Sequence, residues 1–323
     1  MLSGPIPVGC VRASDNLPSG LFDLNDPSGR RVQHCHIIQG TASMTNESGK
    51  SELYLDLMKK CLTRYIFPET SGPLRRPPLT IKHLAWIVYP PIAAFLKRRG
   101  MVVYRETKVD LERRAEGRDW PADAETMIGL RRLDNLHHCI QQVIREEVPG
   151  DFIETGVWRG GACIFMRAAL MAYDDQTRRV WVADSFEGLP KPDGRYEQDQ
   201  GDRHWKKSDV LGVPLEQVKA NFSRYGLLDA QVQFLKGWFK DTLPTAPIEK
   251  LAILRVDGDM YASTMDALAN LYARVSVGGF VIIDDYGEIN TCRQAVDDFR
   301  KRAGIAAPLI AIDKSGVYWK KSG

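Results

Sequence analysis

The chain has no Cys-x-x-Cys pair, no strong excess of either charge and no internal repeat, and no apolar run reaches the roughly 20 residues that a membrane span needs. Each absence excludes something. The six cysteines, Cys10, Cys35, Cys61, Cys139, Cys163 and Cys292, lie far apart, which excludes a zinc ribbon or a disulfide framework. Scattered thiols suit a reducing compartment, so a cytoplasmic location is expected. Cys61, Cys139 and Cys163 fall in apolar helical patterns and are expected to be buried. With 44 Lys and Arg against 41 Asp and Glu, the net charge is +3, too small to steer a nucleic acid partner. The basic clusters, Arg75-Arg76, Lys97-Arg98-Arg99 and Lys320-Lys321, are short and read as solvated surface. Residues 1–40 lack a basic start followed by an apolar core, so no secretory signal is expected. The dinucleotide pattern G-x-G-x-x-G is also missing, which argues against NAD.

What remains, in 323 residues, is enough for one large α/β domain with an additional segment. Residues 1–50 are rich in Gly, Ser, Pro and Asn without any sustained period and are expected to be a poorly ordered extension. Met44 is a candidate natural start, with 1–43 an extension or a misassigned start. Residues 51–125 read as a helical N-terminal or lid segment. There Leu53, Leu57, Cys61 and Tyr65 recur at helical spacing.

The most informative stretch is DFIETGVWRGG, residues 151–161. A short apolar run ends in Glu154 and Thr155, turns through Gly156, Trp158 and Gly160, and enters the apolar segment ACIFMRAALMAY. This is a strand, a glycine turn and a helix. Such a turn lets backbone approach a ligand closely, and the helix start offers unpaired N–H groups. The competing reading is an ordinary βα turn. A second apolar run, RVWVAD, ends in Asp184 beside Ser185, where a βαβ unit would place a carboxylate on ribose hydroxyls. The spacing exceeds the roughly 20 residues of a dinucleotide fold, which points to another adenosine-containing ligand.

Two further apolar runs end in acids. LAILRVDGDMY carries Asp257 and Asp259, and GGFVIIDDYG carries Asp284 and Asp285. In a parallel sheet these ends meet in one crevice. Converging carboxylates must protonate or bind a cation, and their oxygens suit a hard divalent ion such as Mg²⁺. Helix capping by each aspartate is the competing reading. Strand candidates at 151–155, 179–184, 231–236, 251–257, 278–284, 307–312 and 316–320 alternate with helices. They predict a doubly wound, mostly parallel sheet whose last two strands pair antiparallel. The polar loop around 190–208 is long enough to be a lid.

The segments TMIGLRRLDNL, VPGDFIETGVWRGGACI, VWVADSFEGLP, LKGWFKDTLP, LAILRVDGDMYASTMDAL and GGFVIIDDYG resemble, in order, those of the macrocin O-methyltransferase family, whose members methylate sugar hydroxyls on antibiotics and other glycosides. The resemblance implies a class I methyltransferase fold, Rossmann-like and seven-stranded with an antiparallel C-terminal strand, over residues 126–323. It implies S-adenosylmethionine (SAM) as methyl donor, and Mg²⁺ on Asp257, Asp284 and Asp285. Asp259 matches the family's candidate general base; His204, in the polar loop, is a second candidate because neutral imidazole is the usual base near neutral pH. SAM is expected on Glu154, Thr155, Gly156, Trp158 and Gly160, with Asp184 and Ser185 at the ribose. Thr126 and Met127 are expected to close over its methionine end. In KGWF, Gly237, Trp238 and Phe239 are candidates for the adenine wall, with aromatic core as the competing reading. His137 and His138 read as structural.

The acceptor expected from this resemblance is a glycosylated small molecule or a glycolipid, and assembly into identical copies is expected too. Two alternatives stand beside the methyltransferase: a metal-dependent glycosyltransferase using Asp257-Gly258-Asp259 as a D-x-D element, and a SAM-binding scaffold without catalysis. The chain departs from the family between Phe67 and Trp120. There the apolar run 84–96 is interrupted by Pro90-Pro91 and reads as a helix buried against the core or a partner, or as an interfacial segment on a membrane.

Overall fold

The apolar runs form one mixed sheet, and a helical segment precedes it. The computed structural model describes residues 46–67, 71–73, 85–101, 104–106 and 109–323. The expectations for residues 1–45, Met44 included, lie outside the described residues. Helix α1 (Asn46–Leu62) starts a few residues before the expected boundary at 51. It packs on later helices through Leu55, Met58 and Leu62. This corrects the expected stripe: Leu53 and Leu57 are 70% and 49% exposed, and Cys61 is only half-buried. Both stripes have helical spacing, and contact with the rest of the fold selects one of them.

Strands β1 (Ser71–Pro73) and β2 (Tyr104–Glu106) pair antiparallel. Between them, α2 (Ala85–Arg98) runs through Pro90 and Pro91 instead of breaking there. Adjacent prolines cost the helix two N–H donors, and helices tolerate this with a bend rather than an end. Ile92 and Phe95 of α2 are about half exposed, against the expectation of a helix buried on the core. Short α3 (Leu111–Ala115), capped by the Asp110 carboxylate, leads to α4 (Leu130–Arg145). Within α4, His137 is buried and shares a hydrogen bond with the Tyr173 hydroxyl at 2.6 Å, as a structural histidine should.

The sheet contains β3 (Asp151–Thr155), β4 (Val180–Asp184), β5 (Val232–Lys236), β6 (Leu251–Val256), β7 (Val275–Ile283), β8 (Ile310–Ala311) and β9 (Val317–Lys320). Their spatial order is β5-β4-β3-β6-β7-β9-β8, with β3 to β7 parallel and β9 antiparallel to both its neighbours. This is the expected architecture. Most strands match the expected bounds to within a few residues, and the penultimate one, expected at 307–312, shrinks to Ile310–Ala311. Pro308 lacks a ladder donor, and Ile310 lies exposed at the sheet edge, where short strands are the rule.

Helices cover both faces. On one lie α1, α4, α5 (Gly161–Ala172) and α7 (Leu215–Arg224), which bury Phe152, Val180, Val182 and Ile282. On the other lie α9 (Tyr261–Leu271) and α10 (Asn290–Arg302), over Ile153, Trp181, Ala183, Val281 and Ile283. Neighbouring strand residues thus enter opposite cores, which is why these strands are apolar throughout. Two one-turn helices, α6 (Ser208–Leu211) and α8 (Phe239–Thr242), close loops. Strand order reverses between β3 and β6, so the crevice at their carboxyl ends is the natural ligand site.

Candidate active site

Glycine 156 sets the geometry between the two halves of the crevice. It adopts φ 89°, and a Cβ there would lie 1.8 Å from the carbonyl oxygen of Asp257. The turn after β3 and the end of β6 can approach this closely only with glycine. Gly160, at φ 86°, then starts α5. Thr126 is packed on that start, since a Cβ on Gly161 would come within 2.6 Å of Thr126 Cβ.

Asp184 ends β4 with both carboxylate oxygens engaged. The Val157 N–H donates to Oδ2 at 2.8 Å, and the Phe186 N–H donates to Oδ1 at 2.7 Å. Burial pushes its pKa up, and these backbone donors oppose the shift. The arrangement ties the glycine turn to β4. The Ser185 hydroxyl also reaches Oδ1, at 3.5 Å, and the Trp158 N–H is a third backbone donor to this carboxylate.

Beside this turn lies a cavity of about 510 Å³ lined by Gly156, Asp184, Ser185, Trp238, Phe239 and Asp257, among others. Its size suits a nucleoside-like molecule. The other residues expected around the donor do not line it. The Glu154 carboxylate turns into the protein, where it pairs with Arg255 and accepts the Cys163 thiol at 2.9 Å. Thr155 is buried on β3, and the Thr126 hydroxyl accepts from the Ile128 N–H at 3.3 Å. Met127 is half-buried. Trp158 donates its indole N–H to the Val210 carbonyl at 2.9 Å and stacks under Arg159. Gly160 supports the turn from behind, against Val218, and the Gly237 N–H joins the Asp184 carbonyl at 2.9 Å.

The acids of β6 and β7 do converge. Asp257, Asp284 and Asp285 each offer an oxygen within 4.8 Å of the others. Burial, then Asp284, pushes the Asp257 carboxyl up to about 6, with Arg255 opposing. Asp285 is shifted up further, by burial and then by Asp257, Asp259 and Asp284. One of its oxygens, Oδ2, is buried and has no hydrogen-bond partner. Asp259 stands close enough to act on Asp285 and holds the left-handed φ of 54°, a conformation Asp tolerates better than most residues. An all-oxygen donor set with an orphaned buried oxygen fits a hard divalent cation.

Two arginines absent from the sequence reading complete the cluster. Arg255, in the middle of β6 and 2% exposed, bridges Glu154, Asp257 and Asp284. Arg132 of α4 bonds both Asp284 and Asp313. A charged residue inside the apolar run LAILRVD was the available signal for Arg255. Arg132 had none, because helix α4 carries several exposed charges of the same kind. Even so, Glu154, Asp257, Asp259, Asp284 and Asp285 outnumber these two cations.

The 190–208 loop is anchored above α9. Buried Asp199 accepts the Tyr261 and Ala262 N–H groups, each at 2.9 Å, and so caps α9 from outside it. Arg195 forms a bidentate pair with Asp266, at 2.9 Å on both sides. His204 is not brought to the acids. Its Nδ1 lies 3.0 Å from Asp202, its side chain is 39% exposed, and it does not line the cavity, although its neighbour Trp205 does.

A doubly wound sheet with this strand order, a glycine turn after its first central strand and an acid-tipped second strand define a class I methyltransferase. The comparisons specify which kind. Residues 51–321 match the family profile described as Macrocin-O-methyltransferase (TylF), and the chain belongs to that family. It is 52% identical over 270 residues to the 8-demethyl-8-(2,3-dimethoxy-alpha-L-rhamnosyl)-tetracenomycin-C 4'-O-methyltransferase of Streptomyces olivaceus, which covers 83% of this chain and 92% of that protein. It is 50% identical to the demethyldecarbamoylnovobiocin O-methyltransferase of Streptomyces niveus, covering 87% and 97%. The solved structure of the O-methyltransferase NovP aligns with a TM-score of 0.71 at 48% identity, covering 84% of this chain and all of that one. The protein is therefore an O-methyltransferase, and the family implies SAM as its methyl donor. The glycosyltransferase and scaffold readings fall with that assignment; Asp257 groups with Asp284 and Asp285 rather than serving a D-x-D pair. Among the described residues, no helix is long and apolar enough to cross a membrane.

Proposed function

We propose that this enzyme methylates a sugar hydroxyl of a glycosylated natural product or glycolipid, with Mg²⁺ held by Asp257, Asp284 and Asp285. The observation that carries the reading is the acidic cluster, three oxygens within 4.8 Å beside the cavity, one acid retaining an unpartnered buried oxygen. The relatives' names support the acceptor class, since one acts on a rhamnosyl-tetracenomycin and another is a mycinamicin III 3''-O-methyltransferase from Micromonospora griseorubida, 47% identical over 274 residues.

Asp184 and the glycine turn would hold the donor's ribose and methionine portions, with Trp238 and Phe239 along the adenine. The reaction forms an O–CH₃ bond as the donor's S–CH₃ bond breaks, and the hydroxyl proton must leave. Asp259 is the group we assign to receive it. It follows β6 and acts on Asp285 of the cluster, whereas His204 is held by Asp202 within the polar loop. When bound, the divalent ion would lower the hydroxyl's pKa and fix its position. Arg255 and Arg132 hold the carboxylates in place, and the 190–208 loop covers the donor side and excludes water.

The test is methylation of glycosides such as mycinamicin III and demethyldecarbamoylnovobiocin with labelled SAM, with and without EDTA. Turnover should vanish in EDTA and return with Mg²⁺. Asp285→Asn should lose turnover while SAM affinity by calorimetry stays within about twofold. Full turnover in EDTA would sink the metal assignment.

A further inference from the structure

We propose that α2 (Ala85–Arg98) docks on an anionic lipid bilayer, lying in the plane of its surface with Ile92 and Phe95 set among the lipid chains. The proposal does not depend on which glycoside the enzyme methylates. Helix α2 is apolar, yet it stays outside the cores. Of its residues with described side chains, none is buried; Ile92 is 49% exposed and Phe95 54%. Among the described residues, neither apolar core takes any residue from α2. In the sequence, Val88, Tyr89, Ile92, Phe95 and Leu96 recur at helical spacing, which makes one apolar stripe, and Lys97 and Arg98 fall off it. A 14-residue helix is marginal in water without a surface to pack on. Strands β1 and β2 pair from Ser71 with Glu106 to Pro73 with Tyr104, so the segment that carries α2 begins and ends at one place.

The charge of this segment has one sign. Between Glu69 and Glu106 there is no Asp or Glu, whereas Arg75, Arg76, Lys82, Lys97, Arg98, Arg99 and Arg105 are all basic. The whole chain carries only +3, so this is a strong local excess. Lys97, Arg98 and Arg99 are exposed, and the Arg99 guanidinium lies 4.6 Å from the centre of the Phe95 ring. A ring entering the acyl region beside a cation that stays with the phosphates is the arrangement of an interfacial helix. Apolar stripe and positive charge together select the partner. A nucleic acid would meet the charge and leave Ile92 and Phe95 in water. A second copy of the chain, docked by a two-fold contact, would bring the same positive charge against itself. An anionic bilayer answers both features, and Trp86 and Tyr89 of the same helix are residue types that favour its interface. At 14 residues α2 falls short of the roughly 20 needed to cross, so it lies on the surface.

The experiment floats the full chain with vesicles of equal phosphatidylglycerol and phosphatidylcholine, and with vesicles of phosphatidylcholine alone. The wild type should bind the anionic vesicles at least about tenfold more tightly than the neutral ones, and about 0.5 M salt should remove most of the difference. Ile92→Asp with Phe95→Asp should weaken binding to anionic vesicles about tenfold or more. Lys97→Glu with Arg98→Glu and Arg99→Glu should weaken it about a hundredfold. Both variants should bind SAM within about twofold of wild type, which shows that they fold. No binding of the wild type to anionic vesicles, or equal binding to neutral ones, would overturn the proposal without recourse to any variant. Folded variants that bind anionic vesicles as the wild type does would overturn it too. If the wild type ignores vesicles and Ile92→Asp with Phe95→Asp converts a dimer to a monomer in sedimentation, the stripe belongs to a second copy instead.

Discussion

The two halves of the crevice solve opposite electrostatic problems. On the β3–β4 side, the carboxylate of Asp184 is met by three backbone N–H donors, from Val157, Trp158 and Phe186, and needs no counter-charge. On the β6–β7 side, four carboxylates, Asp257, Asp259, Asp284 and Asp285, crowd beside two arginines, and Glu154 of β3 joins one of these arginines. The first half is complete without a ligand, its carboxylate met by backbone N–H groups and the Ser185 hydroxyl. The second holds surplus negative charge in a poorly solvated place, a state that is costly unless protons or a cation enter. Two opposite electrostatic environments are thus built from the same residue type.

The comparison is sharpened first at the acidic half, where the largest loss is expected. Asp259→Asn should lower kcat by roughly 10²–10⁴, the usual cost of removing a general base. His204→Gln should leave kcat nearly intact and act mainly on the acceptor KM. A pH–rate profile of the two variants checks this, and a reversed pattern would move the base to His204.

At the donor half a smaller effect is expected. Asp184→Ala removes hydrogen bonds to a charged group and should weaken SAM binding by about 1.5–3 kcal/mol, read by calorimetry. Unchanged affinity would show that Asp184 only braces the turn. The loss should not depend on Mg²⁺, whereas the Asp285→Asn defect should.

The subtlest test lies between the halves, at Glu154. Burial raises its carboxyl from 4.5 to about 7, with Arg255 opposing. The folded protein then keeps a proton that the unfolded chain releases, so this group's stabilising contribution is present below about 4.5 and lost as pH rises through about 7. Glu154→Gln cannot titrate. Its melting temperature should fall less steeply than the wild type's between pH 5 and 8, on a scale of roughly 3 kcal/mol. Parallel curves for the two proteins would mean that Glu154 stays ionised in its pair with Arg255.

Much of the fold was legible because strands buried on both faces must be apolar along their length, and such runs stand out between polar loops. Parallel pairing and the antiparallel end followed from connection lengths. Of the expected site, Asp257, Asp284 and Asp285 come together, and Gly156, Asp184, Ser185, Trp238 and Phe239 share one cavity. Glu154 turns to Arg255 rather than to the cavity, and the sequence hides this for a local reason. A carboxylate at a strand end looks alike whether it faces a ligand or a partner from a neighbouring strand. His204 lies away from the acids for another reason, since loop length says nothing about which side chain points inward.

Local pattern alone therefore determined the glycine turn, the acid-tipped strands and the alternation of strand and helix, because backbone conformation and apolar periodicity are properties of neighbouring residues. Only tertiary structure decided which stripe of α1 is buried, that Arg255 joins Glu154 across 101 positions of chain, and that Arg132 reaches Asp284 across 152. Those choices depend on which surfaces meet when the sheet closes. A buried charge takes whatever partner that closure brings within reach, and no spacing along the chain records it.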